Sequence, residues 1–285
     1  MLPYNKVCEV EDFTHPDLLP ILHEIYPHER SRFGQSWPTG REYRKDWEVA
    51  MSIRALRDMG ALHPDAEVLG VGAGTESTIF YLTNHVRRVF ATDLYLQEWQ
   101  SESANVGMFL NPDRYWPGLW NPRRLVVQHM NALDLKYEDA TFDAIFSSSS
   151  IEHFGGHDEI RQAVREMARV LKPGGVLSLA TEFRLAGPSP GMDNCLMFDE
   201  EELTDLVIGA ADWQPANPLV SSCSLLSRST EQPFSELLAV VQAHVAEFGE
   251  LLYHKLVWPK YPCVGLTHGP LAWTSVHLAI HKQGS

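Results

Sequence analysis

The sequence predicts an α/β fold with a doubly wound, mostly parallel sheet, and two observations carry that expectation. Short β-rich runs alternate with helical ones along the chain, and a glycine-rich turn joins the first strand to its helix. Val68-Leu69-Gly70-Val71-Gly72 reads as the first strand, Gly72-Ala73-Gly74-Thr75-Glu76 as the turn, and residues 76–84 as the helix. A second β-rich run, Arg88-Val89-Phe90-Ala91-Thr92, ends at Asp93. Strand, glycine turn, helix, strand and acid, in that order, open a parallel sheet.

The remaining elements follow from periodicity. Residues 1–45 mix Pro, His, aromatics and both charge signs, which predicts an irregular or partly helical N-terminal cap. From Tyr43 to Met59, Trp47, Ala50, Ile53 and Ala55-Leu56 recur at helical spacing, and Gly60 closes the run. Leu125-Val126-Val127 reads as a third strand and Phe142-Asp143-Ala144-Ile145-Phe146 as a fourth. Ile160, Ala163, Val164, Met167, Ala168 and Leu171 mark one helix face. Pro173-Gly174-Gly175 is expected to stop that helix before a fifth strand, Val176 to Thr181. Asp199 and Glu202 read as a capping box. A late helix is expected from Pro233 to Tyr253, turning Phe234, Leu237, Leu238, Val241, Val245, Phe248 and Leu252 inward. Trp273 to Lys282 alternates, with Ser275, His277 and His281 on one face, as a last strand with a polar side does. Residues 46–285 thus read as one domain with insertions near 101–123 and 183–232, longer than ordinary connections.

Composition narrows the function. A chain of 285 residues with 44% hydrophobic and 21% charged residues is ordinary globular material. A net charge of -14 argues against nucleic acid as the main partner, since nothing on average neutralises a phosphate chain. No apolar run approaches the roughly 20 residues of a membrane span, and the first residues form no signal-peptide core. Cys8, Cys195, Cys223 and Cys263 lie far apart, as reduced thiols of a cytoplasmic protein do. The 13 histidines show no HExxH or HxH spacing, so no metal site is expected.

The glycine turn fails the dinucleotide fingerprint in both frames, because Thr75 or Ser77 stands where its third glycine belongs. That disfavours a nicotinamide oxidoreductase, and taken alone the turn is only a tight strand-to-helix connection. Asp93 adds chemistry: a strand-end carboxylate can take both hydroxyl hydrogens of a ribose at once.

Four blocks in order carry a family resemblance: the Gly70–Glu76 turn, Ala91-Thr92-Asp93, Met130-Asn131-Ala132 with Phe142–Phe146, and Leu171-Lys172-Pro173-Gly174-Gly175. Over roughly residues 66–182 the chain resembles the class I S-adenosylmethionine-dependent methyltransferases, of the bacterial small-molecule and glycan-tailoring type. The resemblance implies a Rossmann-like seven-stranded sheet whose last strand is antiparallel. It also implies S-adenosylmethionine as cofactor and S-adenosylhomocysteine as product.

Carried onto this sequence, the resemblance puts Gly70, Gly72, Ala73 and Gly74 at the methionine part of the cofactor. Asp93 would hold the ribose, Leu94 would pack near the adenine, and Asn131 and Ala132 would reach its amine edge. Ser147 and Ser148 would line the methyl-donor end, and Arg44 would meet the cofactor carboxylate from the cap. The family usually has an acid where this chain has Gly70, and Glu76 is expected to replace it opposite the cofactor's amino group. An acid there also suits a helix N-terminus, so both readings stand.

His153 sits past the fourth strand as a candidate base or a packed histidine. Glu182 and Arg184 end the fifth strand, positioned to orient an acceptor or to pair with each other. Residues 1–45, the Trp116–Trp120 loop and the Arg184–Leu196 loop are expected to close over the crevice. The reading is methyl transfer to a small molecule, through a hydroxyl of a sugar, glycan precursor or natural product. Its rivals are a nucleic-acid methyltransferase and a cofactor-binding module without transferase activity.

Overall fold

The computed structural model describes residues 1–96 and 104–283, so residues 101–103 of the first expected insertion fall outside the description. Seven strands form the spine of one sheet: β1 (Glu67–Val71), β2 (Arg88–Asp93), β3 (Leu125–His129), β4 (Phe142–Ser148), β5 (Leu171–Ala186), β6 (Gly265–His268) and β7 (Leu271–Lys282). Their order is β3-β2-β1-β4-β5-β7-β6. Strands β1 to β5 pair in parallel, and β7 runs antiparallel to both its neighbours. Short segments raise the sheet to ten strands: Gln232–Pro233 pairs with β6, and Lys6–Val7 and Trp213–Pro215 pair with β7. They occur because β7 is 12 residues long while β6 covers only its first four. The remaining edge hydrogen-bonding groups of β7 need partners, which the two short strands supply.

The helices relevant to the site are α1 (Leu19–Ile25), α2 (Pro27–Phe33), α3 (Arg44–Asp58), α4 (Ser77–Leu82), α5 (His157–Val170), α6 (Glu200–Leu206) and α7 (Phe234–Phe248). Helix α3 buries Trp47, Ala50, Met51, Ile53 and Leu56 over β5 and β7. Helix α5 covers the opposite face with Ile160, Ala163, Val164, Met167 and Ala168, the stripe read from its spacing. Asp199 and Glu202 form the expected capping box on α6, with the Glu202 N–H donating to Asp199 Oδ1 at 2.9 Å.

Three expectations are corrected. Helix α5 ends at Val170, and β5 already includes Leu171 and the Pro173-Gly174-Gly175 turn; Gly174 takes φ +76 where the register with β4 shifts. Helix α7 stops at Phe248, where Gly249 adopts a left-handed cap, and it buries only Leu237 and His244. It lies at the sheet margin beside β6, where Phe234, Val241 and Phe248 are half-buried against the core as expected, whereas Leu238 is 43% exposed. The polar face of β7 is not solvated. Ser275 and His277 are fully buried beneath α3, where His277 meets Ser178 Oγ at 2.8 Å.

Candidate active site

Strand β1 is nearly all apolar and buried, and its carboxyl end breaks into a turn because Gly72 and Gly74 adopt φ +61 and +50. A side chain at Gly72 would strike Ser150, whose hydroxyl instead donates to the Gly72 carbonyl at 2.5 Å. The Gly74 and Leu94 N–H groups donate to the two Asp93 oxygens at 2.8 and 2.7 Å. Tyr95, buried behind the turn, donates its hydroxyl to the Gly74 carbonyl at 2.7 Å. Burial pushes the Asp93 carboxyl upward against these two hydrogen bonds. Each oxygen keeps a second lone pair for a ligand hydroxyl.

Glu76 is the N-cap residue of α4, yet its side chain caps nothing. One oxygen accepts from Thr78 Oγ1 at 2.8 Å; the other, Oε2, is buried without a hydrogen-bond partner. Burial raises this carboxyl to about 7, with Glu48 adding to the rise and the Thr78 hydrogen bond opposing it. Lys45 also opposes the rise, but no ion pair reaches this carboxylate among the described residues.

A cavity of about 450 Å³ joins this turn to a second, aromatic chamber. Its first half is walled by Gly72 to Ser77, Asp93, Leu94, Asn131, Ala132 and Ser148. Asn131 spends its side-chain oxygen on the Leu133 N–H at 2.9 Å, which leaves its amide NH₂ to donate outward. The second half comes from α1–α3, Trp116 and a C-terminal segment, with Tyr26, Phe33, Trp37, Tyr43, Trp258 and Tyr261 as its broad surfaces. Trp116 is held by Phe80, with parallel rings 6.2 Å apart, and by the edge of His28 at 5.5 Å. Arg41 lies 3.7 Å over the Phe33 ring and faces Tyr261 at 5.2 Å.

Several anticipated site residues lie elsewhere. Gly70 is inside β1, where a Cβ would come within 2.5 Å of the Phe146 ring, so the family's acid has no room here. Ser147 is fully buried and absent from the cavity wall. Arg44 points under the sheet, bonding Glu182 at 2.8 and 2.7 Å and Ser275 at 3.0 Å. Glu182 is therefore a buried structural carboxylate rather than an acceptor ligand, also 3.3 Å from Lys45. Burial would raise it, but the two cations overcome that and hold it below the usual carboxylate range. Arg184 turns away from the cavity, donating to the Met197 carbonyl at 3.0 Å and pairing with Asp199 and Glu202. Residues two apart on a strand share a face, but the two do not pair with each other because Arg44 and Lys45 hold Glu182 while Asp199 and Glu202 hold Arg184. His153 does line the cavity, but at an exposed rim, with Nδ1 2.7 Å from the Asn194 carbonyl.

The roof is likewise only partly as expected. The cap and Trp116 reach the cavity, whereas Trp120 packs against the Phe80 edge and bonds Asp113 at 2.8 Å. None of residues 184–196 lines it; Tyr253, His254, Leu256, Trp258 and Tyr261 do. Sequence reasoning also missed Lys45, Asp46 and Glu48, which enter the cavity from the first turns of α3. Their charges among apolar residues were the available signal, but helical spacing alone reads them as a solvated face. Among the described residues no cluster suited to a metal ion is present, and no helix is long and apolar enough to cross a membrane.

Comparison with known proteins agrees with this geometry. Residues 69–179 match the family model described as a methyltransferase domain. The chain is 30% identical over 135 residues to 27-O-demethylrifamycin SV methyltransferase of Amycolatopsis mediterranei, covering 47% of this chain and 44% of that one. It is 31% identical over 136 residues to O-methyltransferase resE of Aspergillus sclerotiorum, covering 47% of each. The chain thus spans about half the length of the curated relatives it matches. Among solved structures, the cyclase SpnF superposes with a TM-score of 0.52 over 94% of both chains at 17% identity, a likeness of fold. Sheet order, glycine turn, strand-end acid and family match converge on one segment: residues 69–179, which carry the turn and Asp93, match a methyltransferase domain.

Proposed function

We propose that the protein transfers the sulfonium methyl of S-adenosylmethionine to a hydroxyl of a small-molecule natural product. One observation carries the reading: a single cavity runs from the Gly74–Asp93 turn to an aromatic wall formed by Tyr26, Trp37, Tyr43, Trp258 and Tyr261. Two curated relatives, named as a 27-O-demethylrifamycin SV methyltransferase and an O-methyltransferase, support the hydroxyl. A concave cavity lined by aromatic rings also speaks for a small molecule over a nucleic acid, which would need a basic track along the surface.

The residues present fit the cofactor. Glu76 Oε2 is a buried acceptor short of a partner, and the α-amino group is a cation short of an anion. Asp93 has lone pairs that would accept from the two ribose hydroxyls, the Asn131 NH₂ would donate to the adenine, and Leu94 and Ala132, in the same wall, would flank the base. Bound there, the cofactor supplies a methyl group carried on positively charged sulfur. The chain's own work is alignment and exclusion of water, which for a direct displacement accounts for most of the rate. Tyr26, Trp37 and Trp116 are the side chains placed to exclude solvent, each nearly fully buried.

Calorimetric titration tests the reading. S-adenosylhomocysteine is expected to bind one to one and NAD not at all, and label from methyl-tritiated S-adenosylmethionine should then appear in a hydroxylated acceptor. Tight cofactor binding with no transfer to any hydroxylated acceptor would favour a binding module instead.

A further inference from the structure

Lys45, Glu48, Ser149 and Glu182 form one connected network, and an acid next to it in sequence stays outside that network. Lys45 is 3.0 Å from Glu48 and 3.3 Å from Glu182, and Ser149 donates to Glu48 at 2.8 Å. Asp46, the residue after Lys45 in sequence, lines the cavity and has Tyr26 as a hydrogen-bonding neighbour, but its side chain forms no ion pair among the described residues. Its surroundings are aromatic or acidic. Tyr26 from the α1–α2 junction reaches it, Glu29 of α2 and Glu48 of its own helix repel it, and Tyr43 and Tyr261 lie near. Arg41, the cation of this chamber, is stacked on Phe33 and forms no ion pair with Asp46. An unpaired carboxylate beside other carboxylates costs stability. Stability therefore gives no reason for its presence.

We propose that Asp46 is the general base of the transfer, taking the hydroxyl proton of a phenolic or enolic acceptor held in the aromatic chamber. The inference rests on the methyl-transfer reading above and names its acceptor class. The acceptor O–H bond breaks toward an Asp46 oxygen while an oxygen lone pair forms the bond to the methyl carbon. The carbon–sulfur pair returns to sulfur, giving S-adenosylhomocysteine, the methyl ether and a protonated Asp46 that returns its proton to water. Burial, with Glu29 adding to it, raises this carboxyl to about 8. A base of that strength matches weakly acidic hydroxyls and is too weak for an alkanol. The stacked rings suit a flat acceptor in the same way. His153 is the less suitable base, because it stands at the exposed rim beside Asp93, at the cofactor end.

The test compares wild type with Asp46→Asn, using 4-methylphenol and 4-nitrophenol as acceptors. The first holds its proton at neutral pH and the second is largely ionised already. Wild-type kcat on 4-methylphenol is expected to rise with pH along a limb near 8. Asp46→Asn should lose about 10²–10⁴-fold in kcat on 4-methylphenol, with KM little changed and the limb abolished. With 4-nitrophenol the loss should shrink to within about tenfold. A second readout needs no acceptor. Because folding raises the Asp46 pKa, wild type loses stability as pH climbs from about 4 to about 8. Asp46→Asn should therefore gain melting temperature over wild type across that window. Equal losses on the two phenols, or a variant less stable than wild type at pH 8, would overturn the base and leave Asp46 a structural residue. If wild type fails to bind S-adenosylhomocysteine, the methyl-transfer reading itself fails, a result independent of Asp46.

Discussion

Asp93 and Glu76 are the two carboxylates proposed to hold the cofactor, and they make separable predictions. Asp93→Ala removes the oxygens that both receive the Gly74 and Leu94 N–H groups and remain open to a ribose. Two hydrogen bonds to a charged group are worth about 1.5–3 kcal/mol each, so calorimetry should register at least a hundredfold loss of S-adenosylhomocysteine affinity. Glu76→Gln should weaken S-adenosylmethionine about tenfold or more, an ion-pair partner being worth over about 1.4 kcal/mol when buried. It should barely change 5′-methylthioadenosine, which lacks the amino group. The same carboxyl, raised to about 7, gives a pH signature. Protonation removes the anion, so wild-type affinity for S-adenosylmethionine should fall as pH drops through 7, while Glu76→Gln shows no such slope. Parallel slopes for the two proteins would remove Glu76 from the amino-group site.

At the scale of elements, helix α3 and strand β7 meet through charge where a core normally meets through hydrocarbon. Arg44, Glu48, Glu182, Ser275 and His277 all lie buried between them, and Glu152 joins from beyond β4 through Thr181 at 2.7 Å. Such a layer is costly to assemble and costlier to break, because removing one charge strands its partner in low dielectric. Arg44→Met should cost about 3–5 kcal/mol, read as a drop in urea midpoint, despite the similar volume of the new side chain. Glu182→Gln, which keeps shape and hydrogen bonding, should cost less. A second element-scale prediction concerns β1. Restoring the family's acid with Gly70→Asp puts a Cβ within 2.5 Å of Phe146. It should destabilise the sheet rather than improve cofactor binding, by melting and calorimetry together.

Taken whole, the molecule closes its site with segments from both ends of the chain. The α1–α3 region and residues 253–261 meet over the carboxyl ends of the parallel strands, and Arg32 of α2 donates to the His254 carbonyl at 3.1 Å. The Tyr43–Cys263 bridge ties the same two regions, with the Arg44 N–H donating to the Cys263 carbonyl at 3.1 Å. Ligand binding should therefore slow amide exchange jointly in residues 26–46 and 253–261, as well as in the turn at 72–76. Protection confined to the turn would mean that the two ends do not act as one cover.

The parallel spine, the glycine turn, Asp93 and the α5 face were legible in the sequence because each depends on local signals. These are strand and helix period, positive-φ glycines and the spacing from turn to strand-end acid. The missing acid at Gly70 was also legible in the sequence, and the structure gives its physical reason: Phe146 fills the space a side chain there would need. What the sequence could not yield is which long-range partners each polar residue finds. Glu182, Arg184 and Arg44 carry the right chemistry at plausible positions, yet tertiary packing spends all three on structural pairs. Asp46 reads as one more acid on a helix surface until residues up to 215 positions away close around it. Alternation in β7 told which residues share a face, but only the helix laid across that face decided that its polar side is buried. Local periodicity specifies elements; burial and pairing depend on contacts between distant parts of the chain, and these decided which residues wall the cavity.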